Sequence, residues 1–429
     1  MYNLSPCIRL VNGYESAVIY DSLGKKIYEV SKDVGKLIIQ NKNVLSKEHF
    51  EKLCRRKFKN HIFKNNDFKK LVVNIFGNKI YVRTSNVSSI PEFNFDILPP
   101  EKPSRSKIEI TGRCNFSCKH CYASAGSNLH QISKVKIISL IEELYLLGVK
   151  FVQFTGGEPL LNIHLRDYIS KALFFSMQVK VATNGSLLND ATIKFLMDNN
   201  IEIQISLYGI TEKSYLKIGC SKEQFRTIFK NVEKIASINQ GLLSLTHTLN
   251  NTSIDETNKL INYIKGLNVE MILGKPYKVG RAASNWAALK TPFANKGCSV
   301  PYSVEKTTDN LYVPSFKCTP CKVNSIDILY DGSVSTCVLI RNNDMTLGNV
   351  YDSKLSDIWN SKRRKYLSSI SVDKIPICCS CEYKYLCGGG CMAGAYSLVG
   401  MVDKPFPYCR PQESRIRKYY KNMFGVKDL

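Results

Sequence analysis

From Lys107 onward, short apolar runs and amphipathic stretches take turns along the chain. Six runs read as strands: KIEIT (107–111), KFVQFT (150–155), QVKVAT (178–183), EIQISL (202–207), LSLTHTL (243–249) and EMILGK (270–275). Stretches with helical spacing separate them, such as Val135 to Leu147 and Thr192 to Met197. Repeated strand–helix units predict a parallel sheet, because a parallel crossover needs a helix-length connection. Eight strands close a barrel, so six predict an open, partial (β/α)6 barrel. This α/β domain is expected over residues 107–300.

The flanks differ. Ser16 to Val30 alternates apolar residues around a Gly-Lys turn, which predicts a β-hairpin. Ser31 is placed to cap a helix that begins SKDV. A second helical pattern covers Ser46 to Phe58, and LVVNIFGNKIYV, ending at Val82, reads as a further hairpin. Strands followed by short helices predict a winged-helix-like module over residues 1–95. Residues 88–106 hold Pro91, Pro99, Pro100 and Pro103 and read as a linker. Beyond about residue 300 the periodicity fades and cysteines crowd in, so a Cys-rich domain is expected over 301–429.

The chain has 429 residues, enough for two or three domains, and its 44% hydrophobic content suits a sizeable core. No apolar run is long enough to span a bilayer. The start, MYNLSPCIRLVNGYES, lacks a basic region followed by an apolar one, so it is not a secretory signal. Cytoplasm is the expected compartment. There, clustered cysteines are expected to bind metal rather than pair as disulfides. Of the 16 cysteines, Cys7, Cys54, Cys220, Cys298 and Cys379 lie outside the clusters and read as packing thiols. The net charge of +24 suits a polyanion or an acidic peptide as partner. No Lys/Arg tract or nucleic-acid module accompanies it.

The chemistry concentrates after the strands, where parallel barrels carry their active sites. Cys114, Cys118 and Cys121, in CNFSCKHC, follow the first strand with C-x3-C-x2-C spacing. Three thiolates leave a four-iron cluster one ligand short, so one iron can bind a substrate or cofactor. A zinc site takes four ligands, and no fourth is adjacent. Thr155-Gly156-Gly157-Glu158-Pro159 follows the second strand; its glycines let backbone approach a ligand. Thr183-Asn184-Gly185 ends the third strand, Ser206-Leu207-Tyr208-Gly209 the fourth, and Gly280-Arg281-Ala282 follows the sixth. The last domain reads Cys321-x10-Gly332-x4-Cys337, then Cys378-x2-Cys381-x5-Cys387-x3-Cys391-x17-Cys409. Asp331-Gly332-Ser333 is expected to turn between DILY and SVST and bring Cys321 and Cys337 together. Two C-x2-C units could also form a zinc ribbon.

Together these motifs resemble the radical S-adenosylmethionine (radical SAM) superfamily, and the C-terminal spacing resembles its SPASM extension. The resemblance covers about residues 107 to 409. It implies a [4Fe–4S] cluster on Cys114, Cys118 and Cys121 whose open iron binds SAM, which is cleaved to a deoxyadenosyl radical. It implies that His120 packs near the adenine and that Gly156, Gly157 and Glu158 contact the methionine amino group. Asn184 and Ser206 would contact ribose or carboxylate. Arg281 would face cofactor or substrate, with a surface cation as the alternative. It further implies two auxiliary [4Fe–4S] clusters, three clusters in all. One uses Cys321, Cys337 and Cys391, with Cys318 as fourth ligand; Cys298 or an open position are the alternatives. The other uses Cys378, Cys381, Cys387 and Cys409.

The N-terminal module looks like the recognition element at the front of many peptide-modifying enzymes. The resemblance therefore implies an enzyme that installs a thioether or other crosslink in a ribosomally made peptide, as in sactipeptide and bacteriocin biosynthesis. Its partners would be a precursor peptide with an acidic leader and an electron donor such as flavodoxin or ferredoxin, with no membrane or nucleic acid. The same architecture also matures sulfatases to formylglycine and builds cofactors such as pyrroloquinoline quinone. A zinc scaffold that binds nucleic acid is the alternative outside enzymes. No general acid or base stands out; Asp327 and Glu305 read as ordinary surface carboxylates.

Overall fold

The computed structural model describes residues 1–13, 16–57, 65–93, 95, 100–127, 130–238, 240–249, 254–289, 302–304, 317–321, 323–341, 344–407, 409 and 427–428. Six parallel strands form its centre: β1 (Arg105–Thr111), β2 (Phe151–Gly156), β3 (Gln178–Thr183), β4 (Glu202–Leu207), β5 (Leu243–Thr248) and β6 (Glu270–Gly274). They pair in chain order, so the sheet is an open partial barrel. Helices cover it, several with side-chain caps that stop fraying. Ser133 accepts from Lys136 N at the start of Lys134–Leu146, and Asn189 accepts from Thr192 N at the start of Asp190–Asp198. Ile137, Leu140, Ile141 and Leu144 recur at helical spacing and are buried against the sheet.

The Cys-rich region is not a separate body. Its hairpin, β7 (Asp327–Ile328) and β8 (Ser333–Ser335), turns at Gly332 (φ +84°) and joins the barrel sheet through β1. Asp327 is therefore no surface carboxylate. It is buried and accepts hydrogen bonds from Lys107 N and Val338 N at 2.9 and 3.1 Å, tying β1 to the loop that carries Cys337. Glu305 and Cys298 lie outside the described residues.

In the N-terminal module the expected hairpin is Ser16–Asp21 paired with Lys26–Ser31, and Ser31 caps Lys32–Gln40 through Val34 N. The second expected hairpin is overturned. Asn65–Gly77 is a helix, followed by a short strand Tyr81–Arg83. Leu71, Val72, Ile75 and Phe76 lie on one helical face and are buried, and that i, i+4 spacing outweighs the β propensity of LVVNIF. The first hairpin is buried on both faces. Ala17, Ile19 and Tyr28 enter the module's own core, while Val18, Tyr20 and Ile27 pack on Val372, Tyr383, Tyr385 and Leu386 of the Cys-rich region. The proline-rich stretch is more than a spacer: Phe93 and Phe95 pack against Tyr385, and the Arg9 guanidinium stands 5.1–5.8 Å from all three rings. Cys7, Cys54 and Cys220 are buried, while Cys379 is exposed.

Candidate active site

The loop after β1 carries Cys114, Cys118 and Cys121, and it is held from both sides. Gly157 N and Glu158 N donate to Thr111 O and Arg113 O, each at 2.8 Å. Here glycine is a steric requirement: a Cβ at Gly156 would stand 2.2 Å from Thr111 O, and one at Gly157 2.1 Å from Arg113 O. On the other flank, a Cβ at Gly280 would stand 2.2 Å from Tyr122 O. Arg281 donates to Cys118 O at 3.0 Å and also to Ala125 O. Arg281 thus braces the cysteine loop.

The three thiols face one another closely enough to interact electrostatically. Burial and the neighbouring charges of Cys121 and Cys114 push the Cys118 thiol up to about 12. Burial pushes Cys114 up to about 11, against a Phe116 N–H that pulls it down. Among the described residues no three metal-binding side chains crowd within reach of a single ion. A cubane does not require that, since each thiolate binds its own iron. The donor set suits such a cluster: three converging soft sulfur ligands, at one end of a cavity of about 410 Å3. That volume lies within the usual range for a small-molecule site, about 300–1,000 Å3.

The cavity opens at the C-terminal ends of β1 to β6 and is lined in part by His120, Gly156, Gly157, Asn184 and Ser206. Burial lowers the His120 imidazole to about 4, so it is neutral at pH 7, with its ring 5.7 Å from that of Tyr208. Asn184 is already engaged. Its Nδ2 donates to Asn115 at 2.9 Å, and its Oδ1 accepts from Ser186 N and Oγ. Ser206 Oγ lies 3.3 Å from Thr246 Oγ1. Glu158 is fully buried beside the cavity. Its carboxylate accepts from Thr183 Oγ1 (2.7 Å), Asn184 N (2.7 Å) and Leu160 N (3.0 Å). Burial outweighs these three bonds and raises its pKa to about 7.

A raised carboxyl pKa stabilises the fold fully below about pH 4.5, and that stability is lost as pH climbs through about 7. The cofactor-free protein should lose about 3 kcal/mol on this account between those limits. Calorimetry across that window should show the slope in wild type and not in Glu158→Gln. Equal slopes would remove Glu158 as the cause.

Two further thiol groups lie in the Cys-rich region. Cys391 interacts with both Cys321 and Cys337, and burial holds Cys337 up at about 12. Cys378 and Cys381 each interact with Cys387 and Cys409. Gly388, Gly389 and Gly390 all have positive φ (+70°, +85° and +87°), so the chain reverses sharply between Cys387 and Cys391. Cys318 stands beside Asp373 and Arg9.

Several residues at the site carried no motif. Lys107, Gln153, Gln204, Thr246 and Thr248 line the cavity from inside the strands. Their signal is an alternation: polar residues at every second position of otherwise apolar runs mark the inward face.

The family model for the radical SAM superfamily matches residues 108–264, and the model for the SPASM iron–sulfur cluster-binding domain matches residues 318–382. The chain belongs to the radical SAM superfamily. It carries a SPASM domain C-terminal to the radical SAM barrel, and it is an enzyme of that class.

Among relatives, the sporulation killing factor maturation protein SkfB of Bacillus subtilis is 25% identical over 61% of this chain and 66% of that protein. The PqqA peptide cyclase of Gluconobacter oxydans is 25% identical over 75% of this chain and 95% of that protein. Streptococcus suis SuiB, in a crystal structure bound to precursor peptide SuiA, shares the radical SAM fold with a TM-score of 0.55 and 13% identity. That match covers 96% of this chain and 100% of SuiB. Among the described residues, no helix is long and apolar enough to cross a membrane.

Proposed function

We propose that this radical SAM enzyme is a maturase of a ribosomally synthesised peptide and that it installs a thioether or other crosslink. One observation carries the reading. A single cavity has the three thiols of the first loop at one end and, in its wall, Val338 and Leu339, which directly follow Cys337 of the second thiol group. Three [4Fe–4S] clusters are proposed: on Cys114, Cys118 and Cys121; on Cys321, Cys337 and Cys391, with Cys318 or Cys298 as fourth ligand; and on Cys378, Cys381, Cys387 and Cys409. When bound, SAM and the first cluster supply a hydrogen-abstracting deoxyadenosyl radical.

The chain's own residues prepare that chemistry. Gly156 and Gly157 give SAM a wall without side chains. His120 offers the adenine a neutral ring, and Ser206 and Asn184 offer hydroxyl and amide groups to its polar end. Gly280 and Arg281 hold the cysteine loop in place, so the thiols do not have to be ordered by the metal alone. The polar inward positions of the strands orient the peptide.

The relatives support peptide as the substrate class, since one is named a PqqA peptide cyclase, another a maturation protein for sporulation killing factor, and SuiB is seen with precursor peptide SuiA. The N-terminal module is proposed to hold the leader by strand addition. Lys427–Asp428 pairs parallel with Tyr28 and Glu29 along one edge of the hairpin's sheet, and among the described residues Ile8–Asn12 forms the opposite edge, where a leader strand would add. The charge of +24 suits an acidic leader, and a flavodoxin or ferredoxin in the cytoplasm would supply electrons.

The test is co-expression with a small peptide encoded beside the enzyme, read by mass spectrometry. Wild type should remove two hydrogens per crosslink. Deleting residues 1–90 should weaken precursor binding at least about tenfold, about 1.4 kcal/mol. An unmodified peptide would sink the substrate class, and unchanged affinity would sink the leader-binding role alone.

A further inference from the structure

The partition between the cavity and the second thiol group is thin, and Tyr277 stands in it. Tyr277 follows β6 and lines the cavity. Its hydroxyl lies within electrostatic reach of the Cys391 and Cys337 thiols. Its ring packs on the helix Met392–Val399, for which Cys391 is the N-cap. A Cβ added at Gly394 would stand 3.3 Å from Tyr277 Cε1. Gly394 N donates to Cys391 Sγ at 3.4 Å. The Cys391 sulfur therefore meets one backbone donor from its own helix, and the barrel phenol stands within reach of it.

We propose that Tyr277 is a positioning residue for the auxiliary centre: its hydroxyl donates to the ligand sulfur of Cys391 and raises the reduction potential of that centre at the edge of the cavity. The proposal rests on the cluster assignment to Cys321, Cys337 and Cys391 made above. The physical reason is charge. A cluster thiolate carries more negative charge in the reduced state, so a hydrogen bond to its sulfur stabilises that state more than the oxidised one. The placement makes the effect specific, because the same side chain forms part of the surface that substrate meets. Sequence offers a modest sign of it, in that Tyr277 lies three residues before the Gly280-Arg281 pair that secures the first cysteine loop. One short segment thus touches both thiol groups.

The experiment uses the full chain, reconstituted anaerobically, with iron counted and the auxiliary signal followed by EPR during a redox titration. Tyr277→Phe should shift the auxiliary potential negative. At the wild-type midpoint, the reduced-to-oxidised ratio should fall about tenfold, equivalent to about 59 mV for a one-electron couple. The signal of the cluster on Cys114, Cys118 and Cys121 should not move. Replacing Tyr277 with 3,5-difluorotyrosine, a stronger donor of the same shape, should shift the potential the other way. It also keeps the test decisive if Tyr277→Phe does not fold. An unmoved auxiliary potential, or shifts of the same sign in both variants, would overturn the proposal. Wild-type protein whose iron count fits a single cluster would overturn the cluster assignment itself, and this inference with it.

Discussion

Cys118→Ala protein, given SAM and dithionite, is expected to release no 5′-deoxyadenosine above background. It should also lose about four of about twelve irons, the share of one cubane in three. Cys118 is the decisive member of its trio because it is buried at 8% exposure, between Cys114 and Cys121 in sequence and in charge interaction with both. Water cannot easily substitute for the missing sulfur there. The loop around it is already secured by Arg281 to Cys118 O and by Ser117 N to Ile218 O at 2.8 Å, so the substitution removes a ligand without releasing the backbone. Two controls separate this from general damage. Cys378→Ala should lose iron yet still release 5′-deoxyadenosine, because its partners are Cys387 and Cys409 in another group. Cys379→Ala should keep its iron and still release 5′-deoxyadenosine, since that neighbour is exposed. A Cys118→Ala protein that still cleaves SAM would remove the first loop from the chemistry.

Arg341→Met is expected to destabilise the protein by about 3–5 kcal/mol, the usual cost of stranding one member of a buried ion pair. Arg341 leaves the loop beyond Cys337 and meets Glu109 of β1 with both nitrogens, at 2.6 and 2.9 Å; Glu109 is fully buried. Burial pushes the Glu109 carboxyl up and the guanidinium pulls it back; arginine keeps its charge in proteins, so the pair is ionic. Tyr330 N donates to the same carboxylate at 3.2 Å, and the guanidinium lies over the Tyr122 and Tyr330 rings at 5.8 and 5.3 Å. The pair therefore joins the barrel, the end of the first cysteine loop and the SPASM hairpin. Removing both charges in Glu109→Leu/Arg341→Met should recover most of the loss, because no orphan charge remains. Urea unfolding of the two variants measures this. A single variant within about 1 kcal/mol of wild type, the level of a typical substitution, would show that the pair carries little.

How legible this was differs by element. The six barrel strands stand within about two residues of their apolar runs, because period-two burial leaves a local trace. The helix at Asn65–Gly77 was misread because LVVNIF satisfies both periods over a short window, and burial of Leu71, Val72, Ile75 and Phe76 on one face decided it. The burial of Asp327 is not legible because a lone carboxylate carries no sign of its partners, and one of those partners, Lys107 N, lies 220 residues away while the other, Val338 N, is reached only through the hairpin turn.

The amino-acid order by itself determined the cofactor class. Thiol spacing is a local property, and C-x3-C-x2-C after a strand constrains what can bind whatever the rest of the fold does. It equally determined the barrel strands and the glycines that must approach the cysteine loop. Only tertiary structure decided which thiols face one another across the SPASM region, that Arg281 braces the loop from 163 residues away, and that Glu158 is buried beside the cavity. It also placed Tyr277 between two centres. These are relations between segments far apart in the chain, set by packing and hydrogen bonding that no short window of residues contains.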